Sequence, residues 1–353
     1  MPTREGWAVL VLAGAVFLLA TNLMSGLLFV LDALLVSLFV VGAGSSVLPL
    51  RRLRVSREIP ERGVEGAALP FGVTLAASAG GRFLVVEDGW PGARGRALVE
   101  HVAPGMPATA TITVTPPQRG RYPVGPVEIA SRGLLGLYHA RRRLRADGHI
   151  VIWPQIRPVP TQVLSVLAPA LDGQQSAGRS RQPDDLYGVR EYQPGDSLAR
   201  VHWRSSARRG TLVTREYQQA QAPDVTIVVD LDRRQSPARL DAAVRATASL
   251  LRAARERDVP AAVAGWAEGP VEHRGWEAAM DWLAAAVPCG PPVAEVLPHL
   301  ARPGRALIVV AATADGVPPG AGVIPVVPAA DAAAGQRPWG GLVYTDDGMV
   351  QAW

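Results

Sequence analysis

The sequence of 353 residues has no lysine: all 36 of its basic residues are arginine. That absence changes the meaning of a formal charge of +5 and an isoelectric point near 9.9. A basic balance first suggests nucleic acid or anionic lipid as a partner. An all-arginine complement beside abundant Ala, Gly, Pro and Val points instead to a GC-rich coding sequence, so the charge alone is no ligand signal. Cysteine is nearly absent as well. Cys289 stands alone, which excludes an intramolecular disulfide framework and a cysteine-built metal site and fits a reducing compartment. No His-x-x-x-His or similar ligand spacing occurs among the six histidines.

Apolar sequence is what the chain has in excess. The hydrophobic fraction is 48% and the mean hydropathy +0.13, with most of the surplus in the first fifty residues. Residues 7–20 carry no charge, and residues 27–48 carry only Asp32. A spanning helix needs roughly 20 apolar residues. The second run meets that outright, and the first does so by borrowing Gly6 and part of the polar stretch 21–26. The reading is a transmembrane helical hairpin with a short external turn. Arg4 at one end, and Arg51, Arg52, Arg54 and Arg57 at the other, place both ends and the following body on the cytoplasmic side of a plasma membrane. An alternative makes the first run a cleaved signal peptide and the second a stop-transfer helix, which leaves the body on the same side. Asp32 lies about a turn and a half inside its run, close enough to reach headgroups.

The rest of the chain divides by pattern. Residues 1–50 are the hairpin. Residues 51–155 read as a small β-rich, sandwich-like domain, with alternating runs at 72–76, 110–115 and 126–130 between Gly and Pro clusters. Within it, 116–126 reads as a turn-rich connection, and the basic run 141–145 as a charged strand edge. Residues 156–183 read as a polar, proline-containing linker. From 184 onward the grammar is α/β. Residues 225–231 read as a continuous buried strand, of the kind found in a sheet covered on both faces. Ser236 and Pro237 then start a helix that buries Leu240, Ala243, Val244, Thr247, Leu250, Leu251 and Ala254. Strands at 261–266, 306–312 and 323–327 alternate with helices at 276–287 and 293–300, which predicts a mostly parallel sheet. Asp346, Asp347 and Gly348 turn a terminal hairpin.

One segment stands apart: GVREYQPGDSLARVHWRSSAR at 188–208. Pro194 and Gly195 suit a type II turn, Asp196 suits a helix cap, and His202 and Trp203 are read as alternating outward and inward into the next strand. This run resembles the signature of a bacterial membrane-anchored family of unknown function, domain of unknown function 58. Further matches lie at RGRYPVGP (119–126) and SRGLLGLY (131–138), where Gly133 and Leu134 replace the family's Asp-Pro pair. The resemblance implies a divergent von Willebrand factor A-like α/β domain and a functional link to MoxR-type AAA+ ATPases. It marks Arg190, Glu191, Tyr192, Gly195, Asp196, Arg200, His202, Trp203, Arg204, Ser206 and Arg208 as signature or partner-binding positions.

No catalytic residue is assigned. His202 with Ser205 or Ser206 is the only local nucleophile–base pairing, and no carboxylate is spaced to orient the imidazole. In von Willebrand A domains an Asp-x-Ser-x-Ser motif holds a hard cation. The resemblance places Asp230, Asp232 and Asp315 there, but Arg234 occupies the second hydroxyl position. The expectation is therefore a vestigial site in which Arg234 replaces the ion and neutralises Asp230 and Asp232. No cofactor is expected, Mg²⁺ being the one ion worth testing. Three functions compete. The favoured one is a membrane-tethered, non-enzymatic adaptor that binds a MoxR-type ATPase or other envelope proteins. The second is an arginine-rich nucleic-acid binder using Arg190, Tyr192, Arg200, Trp203, Arg204, Arg208 and Arg209. The third is a membrane-bound hydrolase.

Overall fold

The structure is a computed structural model. It describes every residue except 79, 134, 146–147, 172–185, 193–200, 202, 218–224, 301–305, 314–316, 318–322, 334–341 and 353. The chain divides into two units, Met1–Pro154 and Gln155–Trp353.

The first unit begins with helix α1, Arg4–Leu23, whose N-cap Thr3 accepts the Gly6 N–H. Thr21 and Asn22, the first polar residues of the expected turn, are absorbed into this helix, and Thr21 returns its hydroxyl to the Leu18 carbonyl at 2.8 Å. Only Met24, in the left-handed region at φ 46°, and Ser25 separate α1 from α2, Gly26–Arg51. At 1.5 Å per residue these helices are about 30 and 39 Å long, against a hydrocarbon core of about 30 Å. Both are long and apolar enough to cross a membrane, and side chains such as Leu18, Leu27 and Leu34 face outward.

Ten strands follow: β1 Leu53–Glu58, β2 Arg62–Val64, β3 Leu69–Ala77, β4 Gly81–Trp90, β5 Ala93–Val102, β6 Ala108–Val114, β7 Gly120–Pro123, β8 Val127–Ser131, β9 Ala140–Leu144 and β10 His149–Trp153. They form sheets ordered β1-β3-β6, β5-β4-β8-β9 and β2-β10-β7. Alternation turns Phe71, Val73 and Leu75 of β3 and Leu84 and Val86 of β4 inward. Ile112 of β6, Ile129 of β8 and Ile150 of β10 join them around Trp90. The expected β-rich body is present. One detail differs: β7 sits inside the run read as a turn-rich connection, because Gly120–Pro123 pairs antiparallel with β10. The basic run lies on β9, at the edge of its sheet, as expected.

The loop from β8 to β9 fastens the β body to the hairpin. Thr3 donates its N–H to Leu137 O at 3.0 Å and its hydroxyl to Gly136 O at 2.8 Å. The Ser46 hydroxyl donates to Tyr138 O at 2.9 Å. Gly133, at φ 62°, runs so close to α2 that a Cβ there would collide with the hydroxyls of Ser45 and Ser46. Glycine at this position is a packing requirement.

The second unit holds α3 Thr161–Leu171, β11 Leu186–Glu191, α4 Trp203–Arg209, β12 Val213–Tyr217, β13 Val225–Val229, α5 Pro237–Arg255, β14 Ala261–Trp266, β15 Pro270–Arg274, α6 Trp276–Ala285, α7 Val293–Leu300, β16 Ala306–Val310, β17 Val323–Pro328, α8 Ala329–Ala333, β18 Leu342–Tyr344 and β19 Val350–Ala352. The first of these corrects the linker reading. Val163 and Leu167, one helical turn apart, are buried in α3; Pro158 and Pro160 precede this helix and do not signal open coil. The polar remainder, 172–183, lies outside the described residues.

A seven-stranded sheet, β15-β14-β13-β16-β17-β18-β19, organises the rest. Its five inner strands are parallel and both edge strands antiparallel. α7 and α8 cover the face presenting Val228, Ala264, Val309 and Val327. Alternation gives Ile227, Val263 and Ile308 to the other face, and all three are buried. α5 starts at its Ser236 cap as expected and buries all seven of the residues named for it.

Candidate functional site

The signature segment lies in and around a two-stranded ribbon. β11 pairs antiparallel with β12, setting Arg190 opposite Thr214 and Glu191 opposite Val213, and the Tyr192 N–H continues the pairing to Leu212 O at 2.8 Å. The ribbon's return path is α4, which ends at Gly210 in the left-handed region, φ 69°. Ser206 ties the helix to the strand. It is buried, and its hydroxyl accepts the Val213 N–H at 2.9 Å. That bond gives Ser206 a structural task where the hydrolase reading needed a nucleophile.

Trp203 departs from expectation. Extended alternation would turn it inward, but residues 203–209 are helical and Trp203 is 63% exposed. Once the two-residue period is lost, the inward position passes to Ser206, whose bond to β12 fixes the helix rotation. Arg204 and Arg208, four residues apart and so on one helix face, are exposed, as is Leu212. Gly195, Asp196, Arg200 and His202 lie outside the described residues, and only the backbone of Arg190 and Glu191 is described.

The second candidate lies where the order of the strands reverses. From β13 the chain proceeds through α5 to β14 on one side, while β16 flanks the other. The carboxyl ends of β13 and β16 therefore border a topological switch point, the usual ligand position in open α/β sheets. Asp230 follows β13 and is buried. Its Oδ1 accepts the Asp232 N–H at 3.0 Å and its Oδ2 the Ala312 N–H at 3.0 Å, linking the two strand ends. Burial pushes its carboxyl above the ordinary value, and those two amides oppose the shift.

Arg234 makes its direct contacts with Asp232. Its Nη2 lies 2.8 Å from Asp232 Oδ2 and its Nε 3.1 Å from both carboxylate oxygens. That pairing holds the Asp232 carboxyl below the usual range. Asp230 takes its hydrogen bonds from backbone amides, and the Arg234 charge reaches it only through space, as the weakest of the influences on its carboxyl. Asp315 lies outside the described residues. Among the described residues, no group of three or more His, Cys, Asp or Glu is arranged to hold a metal ion. Three residues here were not anticipated. Arg239 donates to Ala312 O and to Asp331, and Tyr344 donates to Ala311 O at 2.9 Å. A lone carboxylate, Asp331, in the alanine-rich run 329–333 was the available signal.

With that geometry in place, the comparisons bear on the signature. Residues 188–264 match the family model "Protein of unknown function DUF58". The match runs from β11 through α4 and α5 to β14, so it includes the ribbon and, of the switch point, only the β13 side with Asp230. The uncharacterized protein YeaD of Bacillus subtilis is 27% identical over 233 residues, covering 60% of this chain and 56% of that protein. The aligned part thus spans little more than half of the relative's length. Among solved structures, the PKD domain of an M14-like peptidase from a Thermoplasmatales archaeon is 14% identical, with a TM-score of 0.18, over 29% of this chain and 92% of that one. The CARDB domain of a Pyrococcus furiosus protein is 15% identical, also with a TM-score of 0.18, over 28% and 93%.

Proposed function

We propose that the chain is a membrane-tethered adaptor whose α4 surface binds a protein partner on the cytoplasmic side. The observation that carries this reading is the outward Trp203 beside Arg204 and Arg208, on a helix whose buried Ser206 is hydrogen-bonded to β12. Trp and Arg are the residue types that dominate binding hot spots, and an exposed Trp costs solvation unless something covers it. The two outward-facing apolar helices supply the tether, and Arg51, Arg52 and Arg54 at the end of α2 support the cytoplasmic orientation. The α/β unit is read as von Willebrand factor A-like on its parallel sheet and the Asp230 switch point, with Arg234 on Asp232 weakening any cation site. The signature resemblance names the partner class, a MoxR-type AAA+ ATPase.

The test is capture of that ATPase from native membranes by crosslinking. Trp203→Ala/Arg204→Ala/Arg208→Ala should keep the parent's melting temperature, because all three side chains are exposed, and should lose capture. Undiminished capture by the triple variant would contradict the assignment.

A further inference from the structure

Where α2 ends, the β body leaves a cavity of about 930 Å³ whose lining includes Val47, Leu50, Arg51, Tyr138, His139, Arg141 and Arg142. The cations reach it by different routes. Arg51 is the last residue of α2, while Arg141 is brought from β9 by the fold. Arg142 is already committed, donating to the carbonyls of Leu50, Arg51 and Leu53 and so capping the helix end. Among the described residues, no carboxylate lines the cavity. The nearby carboxylates Glu87 of β4 and Glu128 of β8 are paired with Arg96 and Arg143. Burial, with Arg141 and Arg132 close by, holds His139 below its ordinary value, in keeping with a positive local field.

The cavity is apolar as well as cationic. Val47 and Leu50 form a wall continuous with the exposed side of α2, where Val40, Val41 and Leu48 face outward. A free anion would use only the arginines, and the volume is that of a site for a larger molecule. Basic pockets at the cytoplasmic end of spanning helices suit anionic headgroups.

We propose that this cavity seats an anionic phospholipid, its phosphate between Arg51 and Arg141 and its acyl chains along α2. The assignment rests on the reading of α1 and α2 as membrane-spanning. The test uses the full chain extracted in detergent and offered phosphatidylglycerol or phosphatidylcholine of matched acyl chains, with retained lipid counted by native mass spectrometry. The wild-type chain should retain phosphatidylglycerol preferentially. Arg51→Gln/Arg141→Gln should lower that preference at least about tenfold, while the charge-matched Arg121→Gln/Arg252→Gln should keep it, with both variants checked by thermal unfolding. Equal retention of the two lipids by the wild-type chain would overturn the proposal, as would equal loss in both variants. Displacement of the lipid by inorganic phosphate alone would assign the cavity to a free anion, against the proposal. Recovery of the chain in the soluble fraction before any detergent is added would remove the membrane reading itself.

Discussion

Arg57 reaches into the β body to meet Asp88, Nη1 to Oδ1 at 2.8 Å, and the same nitrogen also donates to Gly125 O at 3.1 Å. The Asp88 side chain is fully buried and accepts the Gly89 N–H as well. Burial pushes its carboxyl upward against the pull of Arg57. Removing the arginine leaves a charge in the core with one amide to hold it. Arg57→Ala should therefore destabilise the chain by about 3–5 kcal/mol, and replacing both partners by apolar residues should recover much of that loss. Chemical denaturation measures both; an equal loss in the single and double variants would show that the pair is not the cause. Asp232 behaves in the opposite sense. Arg234 depresses its folded-state pKa, so the stabilisation is present above the unfolded value near 3.9 and is lost as pH falls through the folded one. Arg234→Ala should raise the Asp232 titration toward that unfolded value, read by carboxyl-carbon NMR, and should make stability less sensitive to acid below about pH 4. An unchanged Asp232 titration would mean that the backbone amide of residue 234, and not its guanidinium, sets the value.

Among the elements, α3 best separates a packed segment from a tether. Val163 and Leu167 are each at most 1% exposed, so Leu167→Ala should cost about 2–5 kcal/mol. A linker would tolerate the change, and an unaltered unfolding midpoint would restore the linker reading. The same helix marks where sequence pattern stopped being informative. α5 was legible because a Ser-Pro start and a three-four apolar spacing run for five turns. The parallel strands were legible because both faces are covered, which makes 225–229 and 306–310 continuously buried and apolar but for Thr226. α3 was hidden by the prolines around it and the polar run after it. α4 was hidden for another reason: seven residues are too few for a helical period to outweigh the apparent two-residue alternation of its neighbours. Trp203 was therefore placed inside when the hydroxyl of Ser206 takes that position. At the switch point, Asp230 could be found in the sequence because it directly follows an apolar strand. Its partner, the Ala312 N–H, could not, since it lies just past β16, far along the chain.

The whole molecule joins an apolar hairpin, a β body fastened to it through Gly133 and Gly136–Tyr138, and an α/β unit that carries the signature ribbon. Each piece gains its role from orientation. The α4 surface is available to a cytoplasmic ATPase, and Arg51 and Arg141 to an inner-leaflet headgroup, only if the chain after α2 stays inside. The single cysteine makes that claim directly measurable without altering the protein, because Cys289 is exposed and has no disulfide partner. Spheroplasts treated with a membrane-impermeant maleimide should leave Cys289 unlabelled, and permeabilising the membrane should bring labelling to completion. Full labelling of Cys289 in sealed spheroplasts would put the body outside the cell and contradict the account.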